Sequence, residues 1–154
     1  MGQDSIEEVS VKLKNLVGVE SSSCVTAIDG DAVRRFNEAV VGDPIEGPAV
    51  IKFSSQDSSK NLVRVPPTFL RSLTSGHFDE ELYIDLPNIL DGGSEWEYFH
   101  RVEIGDEIAV STLLHNVTLK ETRSGKMLFI IWDIKYSNCD DNLVATQRAT
   151  EIRY

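Results

Sequence analysis

A chain of 154 residues with 25 acidic and 15 basic side chains carries a formal charge of −10, which speaks against a nucleic-acid partner, because holding phosphates takes clustered Lys and Arg. At 41% apolar and 26% charged residues, it has the make-up of one globular domain, 1–154, with enough chain to bury a core. No run of about 18 apolar residues is present, so nothing in it predicts a membrane span.

The start, Met1 to Glu8, has neither the basic opening nor the apolar middle of a secretory signal, and acidic neighbours make Gly2 a poor acylation site. Cys24 and Cys139 are solitary and far apart, which reads as idle thiols rather than a metal site or a disulfide, in a cytoplasmic protein. Ile6, Val9, Leu13, Leu16 and Val17 then recur at helical spacing among Glu7, Glu8, Lys12 and Lys14. This predicts an amphipathic helix, capped by Asp4 or Ser5 and ended by Gly18. Cys24 to Ile28 is a brief β-prone run closed by Asp29 and Gly30. Asp31 to Val41 predicts a second helix, with Val33, Phe36 and Val40 on one face and Gly42 at its stop. Ala49 to Phe53 reads as a strand and Ser54 to Lys60 as a polar loop.

Val65 to Gly76 is the stretch the other elements serve. Pro66 and Pro67 open it, Gly76 closes it as a left-handed cap, and Phe69, Leu70 and Leu73 share one face. The expectation is a short helix over about Pro66–Ser75, too short to stand without something wrapped round it. A linking segment runs through Leu82 to Pro87, and the acidic Asp79 to Glu81 reads as solvated surface, since it lacks the ligand spacing of a calcium site. After Asp91, Gly92 and Gly93 the period changes to two. Trp96, Tyr98 and Val102 alternate with Glu95, Glu97 and Arg101, followed by Ile108, Val110, Thr112 and Leu114. The phase then slips to Val117 and Leu119, predicting a bulge near His115 and Asn116. Arg123 to Lys126 is a turn. Met127 to Tyr136 is a strand apolar on both faces at its start, hence central, with the short helix on one side and a partner on the other. Asn138 to Asn142 turns the chain into a last strand, Leu143 to Tyr154. Four long antiparallel strands curling round one short helix make an α+β hot-dog arrangement.

Three stretches now bear comparison with a known family: Val33-Arg-Arg-Phe-Asn-Glu-Ala-Val40 with Gly42-Asp43-Pro44, then Pro66-Pro-Thr-Phe-Leu70, then Gly92-Gly-Ser-Glu-Trp-Glu-Tyr-Phe-His-Arg-Val-Glu-Ile-Gly-Asp106. They resemble the MaoC-like dehydratases, and most of all the N-terminal-half type. Gly125-Lys-Met-Leu-Phe129 and Leu143-Val-Ala-Thr-Gln-Arg-Ala-Thr150 carry the resemblance on, so that it covers about Asp29 to Tyr154. It implies reversible hydration of a trans-2-enoyl thioester, usually of coenzyme A, to an (R)-3-hydroxyacyl thioester. Catalytic members carry Gly-Asp-x-Asn-Pro-hydrophobic-His, whose Asp and His do the acid–base work. A backbone N–H from a His-Gly start of the central helix holds the thioester oxygen as charge builds on it.

Matched to that pattern, this chain keeps the aspartate as Asp43 and departs elsewhere. The Asn, Pro and His positions hold Ile45, Glu46 and Pro48, and the His-Gly pair falls on Pro66 and Pro67. Proline has no N–H to give. His77, His100 and His115 lie outside the matching motif. The resemblance therefore implies a non-catalytic half that keeps Asp43 as a remnant, needs no cofactor or metal, and shapes the tunnel for an acyl-CoA thioester. Its partner would be a catalytic MaoC-like subunit or a second copy of itself. Thr68, Phe69, Gly92, Gly93 and Trp96 are the candidates for the substrate side. Each has a plainer reading as well: a turn for Asp43 and for the glycine pair, core packing of the helix head for Thr68 and Phe69, and a core or interface place for Trp96. A stand-alone homodimeric enoyl-CoA hydratase and a non-enzymatic acyl-CoA binding module are the alternatives.

Overall fold

Five strands, β1 (Cys24–Ala27), β2 (Ile89–Tyr98), β3 (Glu107–Thr122), β4 (Gly125–Asn138) and β5 (Leu143–Arg153), form one antiparallel sheet in the order β1-β3-β4-β5-β2. The computed structural model describes residues 5–41, 65–78, 82 and 84–154. Against one face of the sheet lie α1 (Ile6–Asn15), α2 (Gly30–Val41) and a short central 3₁₀ helix (Pro67–Ser72). This is the α+β hot-dog arrangement that the periodicity predicts.

The alternation of β3 explains how the sheet closes over its helices. Ile108, Val110, Thr112 and Leu114 point inward and are buried. The pairing with β4 then slips between Leu114 and Asn116, and Val117 is buried again. One extra residue restores the apolar set to the same face, as the phase slip in the sequence requires. β4 is the middle strand of the sheet. Its inward Leu128, Ile130 and Tyr136 are nearly solvent-free, while Met127, Phe129 and Ile131 on the outer face are half-buried.

The core is divided. One cluster joins Val33 of α2 and Phe69 and Leu70 of the central helix to Ile108, Val110, Tyr136, Val144 and Ala145, with Phe36 meeting Phe69 edge-on at 5.4 Å. The other joins Val9 and Leu13 of α1 to Leu114, Val117, Leu128 and Ile130. The helix that covers the start of β4 is thus α1, and the central helix covers its end. α1 is held at its head by a reciprocal capping box: Ser5 N donates to Glu8 Oε2 at 2.8 Å and Glu8 N to Ser5 Oγ at 3.3 Å. Such a cap stabilises by about 1 kcal/mol. α2 is capped by Asp29, whose Oδ1 accepts from Ala32 N at 2.8 Å.

Two expected features change. The central helix is 3₁₀ and stops at Ser72, because Leu73 is already extended (φ −78, ψ 141). Phe69 N donates to Pro66 O at 2.9 Å, the tight closure that suits a turn opened by two prolines. Gly76 is not a left-handed cap: among the described glycines, positive φ occurs at Gly18, Gly93, Gly105 and Gly125. Its lack of a side chain serves close approach instead, since a Cβ there would fall 2.0 Å from the Ser22 carbonyl oxygen. Around it Ser22 N donates to His77 O and His77 N to Ser22 Oγ, at 2.9 and 3.0 Å.

A further change is in β2, which starts at Ile89 and runs through the glycine pair rather than after it. Gly92 and Gly93 form a bulge where the pairing with β5 slips between Asp91 and Ser94. Gly93 adopts φ +105, and a Cβ on Gly92 would lie 2.8 Å from Thr150 Cγ2. The strand ends at Tyr98, leaving Val102 outside it. The expectations for Ala49–Phe53, Ser54–Lys60 and Asp79–Glu81 lie outside the described residues. Among those described, no helix is long and apolar enough to cross a membrane.

Candidate functional site

The strand register brings Thr112, Ile134, Gln147 and Trp96 into one row across the inner face of β3, β4, β5 and β2. Alternation assigns this row to the core, yet two of its members are polar. Thr112 is 7% exposed and Gln147 3%. The row lies between the two apolar clusters, and above it is a cavity of about 250 Å³ lined by Thr112, Ile134, Tyr136 and Gln147 from the sheet and Arg71, Leu73 and Ser75 from the central helix and its exit.

Polar groups that leave water must find partners, and Gln147 does. Tyr136 Oη donates to Gln147 Oε1 at 3.0 Å, and Gln147 Nε2 donates to Ser94 Oγ at 2.9 Å. Burial pushes the Tyr136 phenol up to about 12, against a smaller opposing pull from Arg71. It is therefore a neutral donor at ordinary pH. Trp96 stacks on Tyr136, with ring centroids 5.4 Å apart, and on Tyr98 at 5.5 Å. Arg71 Nη2 meets Asp91 Oδ2 at 3.1 Å, tying the central helix to β2 just before its bulge. Both side chains are more than half exposed, so the pair contributes at most about 1 kcal/mol.

Of the residues singled out in the sequence, Trp96 stands in the row beneath the cavity. Phe69 is buried beside it in the α2 cluster, Thr68 is exposed at the helix head, and Gly92 and Gly93 are exposed in the β2 bulge. Asp43 lies outside the described residues. Thr112, Tyr136, Gln147 and Arg71 were not singled out, although the sequence carries a signal for two of them. Thr112 interrupts the apolar series Ile108, Val110, Leu114, and Gln147 sits between Ala145 and Ala149 in the inward phase of β5.

Elsewhere, His100, Arg101, Asp106 and Cys139 border a second hollow of about 360 Å³ at the far end of β4. On the outer face His115 Nδ1 meets Asp133 Oδ2 at 2.9 Å, and Arg148 grips Asp133 with two bonds of 2.7 and 2.8 Å. The Arg148 guanidinium holds the Asp133 carboxyl below the usual carboxylate range. Among the described residues, no three His, Cys, Asp or Glu side chains converge as a metal site would require. Cys24 is half-buried, Cys139 is exposed, and both are free thiols.

The model of the FAS1-like dehydratase domain region matches residues 15–147. No curated protein matches the chain by sequence. Among solved structures, the chain resembles the MaoC-like dehydratase of Rhodospirillum rubrum at 17% identity and a TM-score of 0.59, covering 90% of this chain and 92% of that one. It resembles a chain of the ChsH1–ChsH2 complex of Mycobacterium tuberculosis at 16% identity and a TM-score of 0.66, over 97% and 90% of the two chains. A third likeness is to the HadBC (3R-hydroxyacyl-ACP dehydratase) complex of the same organism, at 19% identity and a TM-score of 0.57, over 89% and 96%. The chain has the hot-dog fold of these dehydratases, and it belongs to the family of the FAS1-like dehydratase domain region.

Proposed function

We propose that this chain is the non-catalytic, tunnel-forming subunit of an (R)-specific enoyl-thioester hydratase, or 3-hydroxyacyl-thioester dehydratase, and works with a catalytic MaoC-like subunit on an acyl-CoA substrate. The observation that carries this reading is the head of the central helix. Pro66 and Pro67 offer no N–H, and the Phe69 N–H is already given to Pro66 O. A backbone donor aimed at a developing oxyanion is the main electrostatic element such a reaction needs, and the position that supplies it in the catalytic pattern is Pro67 here, which has no N–H. The Asn, Pro and His of the catalytic pattern are replaced as well, by Ile45, Glu46 and Pro48.

Two features support a partner. β2 is an edge strand among the described residues and exposes Ile89, Leu90 and Tyr98, with Phe99 beside them. An open sheet edge with exposed apolar residues at both of its ends calls for cover by another chain. Two of the similar folds come from complexes of two kinds of chain. In this reading Trp96 and Phe69 bound the acyl end of the tunnel. Thr68, Gly92 and Gly93 lie on exposed backbone toward the thioester carrier and the partner.

The test is hydration of crotonyl-CoA by the purified chain, alone and after co-expression with the MaoC-like protein encoded nearest to it. No turnover is expected from the chain alone. Turnover is expected from the complex, abolished by mutating the partner's Asp and His and unaffected by Asp43→Asn. Turnover by the chain alone that is lost in Asp43→Asn would replace this reading with that of a stand-alone homodimeric hydratase.

A further inference from the structure

We infer that the cavity beneath the central helix accepts an oxygen-bearing group at the far end of the acyl chain, and discriminates against a plain hydrocarbon tail. This rests on the proposed function, since it assigns the distal part of the thioester's acyl group to this chain. The argument is one of matching. A tunnel for saturated tails is best lined by apolar side chains throughout, yet here, beside Val110, Ile134 and Leu73, the floor presents Thr112, Tyr136 and Gln147, and the roof presents Ser75 and Arg71.

These groups are not used up by one another. A Gln amide carries two N–H hydrogens, of which the Gln147–Ser94 bond takes one. The Tyr136 oxygen, having donated to Gln147, can still accept. The cavity thus offers a donor and an acceptor side by side, the complement of a hydroxyl. A hydrocarbon end placed there strips water from these groups and returns no hydrogen bond, whereas a hydroxyl, keto or amide oxygen replaces what the water made. Sites built to bond a substrate hydroxyl reject the analogue that lacks it far more strongly than apolar pockets reject an extra methylene. At about 250 Å³ the space holds on the order of eight non-hydrogen atoms, given water's share of about 30 Å³. That suits the last few carbons of a chain and one oxygen.

The experiment is calorimetric titration of the full chain, alone and in the complex with its catalytic subunit, with matched thioesters: hexanoyl-CoA against ω-hydroxyhexanoyl-CoA, and octanoyl-CoA against ω-hydroxyoctanoyl-CoA. In at least one pair the hydroxylated thioester is expected to bind at least about tenfold tighter. Equal or tighter binding of the hydrocarbon member in both pairs would overturn the inference and leave the tunnel reading standing. Absence of binding by all of them, to chain and complex alike, would remove the tunnel reading and this inference with it. Thr112→Val, which keeps shape and removes the hydroxyl, is expected to reduce the preference to about threefold or less, and Gln147→Leu to abolish it, near-ultraviolet circular dichroism confirming that each variant is folded. A preference undiminished in both folded variants would place its source outside this row and overturn the assignment.

Discussion

Tyr136 keeps its proton because of where β4 puts it. The phenol is buried against Trp96 and Gln147 and titrates at about 12, while in an unfolded chain it would titrate near 10. The unfolded state therefore loses the proton first. The stability that follows is fully present below about pH 10 and drains away as the pH rises toward about 12, amounting at most to about 2–3 kcal/mol. Urea denaturation at stepped alkaline pH should show this loss, and Tyr136→Phe should flatten that part of the profile. The same residue shows what a sequence conceals. Tyr136 reads as one more aromatic near the end of a strand, and its partner Gln147 stands on a different strand, opposite Ile134. Nothing near either residue in the chain announces the bond. Gly76 is a similar case, because the contact that demands a glycine is with Ser22, far back in the chain.

At the scale of elements, the central 3₁₀ helix holds the site in shape through two consecutive residues, Phe69 and Leu70, which are 4% and 2% exposed. Leu70→Ala should cost about 2–5 kcal/mol, the range for a buried leucine whose surroundings cannot collapse into the gap. Thr68→Ala, two residues away and exposed, should stay within about 0.5 kcal/mol; chemical denaturation of the two variants side by side checks the contrast. The apolar face of this helix was legible from the positions of Phe69, Leu70 and Leu73, but its type was not, since that spacing fits a short 3₁₀ turn as well as an α-helix. The β3 bulge was legible because a slip in a two-residue period leaves its mark along the chain itself. The β2 bulge was not. A glycine pair looks like a turn locally, and only the pairing of the flanking Asp91 and Ser94 with Glu151 and Ala149 keeps the strand running through it.

Taken whole, the described residues form a sheet with β1 and β2 at its edges, two apolar clusters on its inner face and a polar row between them. If the β2 edge is where the catalytic subunit docks, Leu90→Lys, at a position already 47% exposed, should weaken the complex at least about tenfold. The stability of the isolated chain should change by no more than about 0.5 kcal/mol. Sedimentation of mixtures with the wild-type and variant chains measures the first, and thermal melting the second. The extra residue in β3 has a consequence for how this chain tolerates change in length. Removing one residue anywhere between Ile108 and Leu114 would turn part of the strand inside out and send core side chains to solvent. Removing His115 alone would merely straighten the strand, leaving Leu114 and Val117 facing as they do now. A single-residue deletion is therefore absorbed at that one joint, where the two halves of β3 behave like two reading frames already spliced.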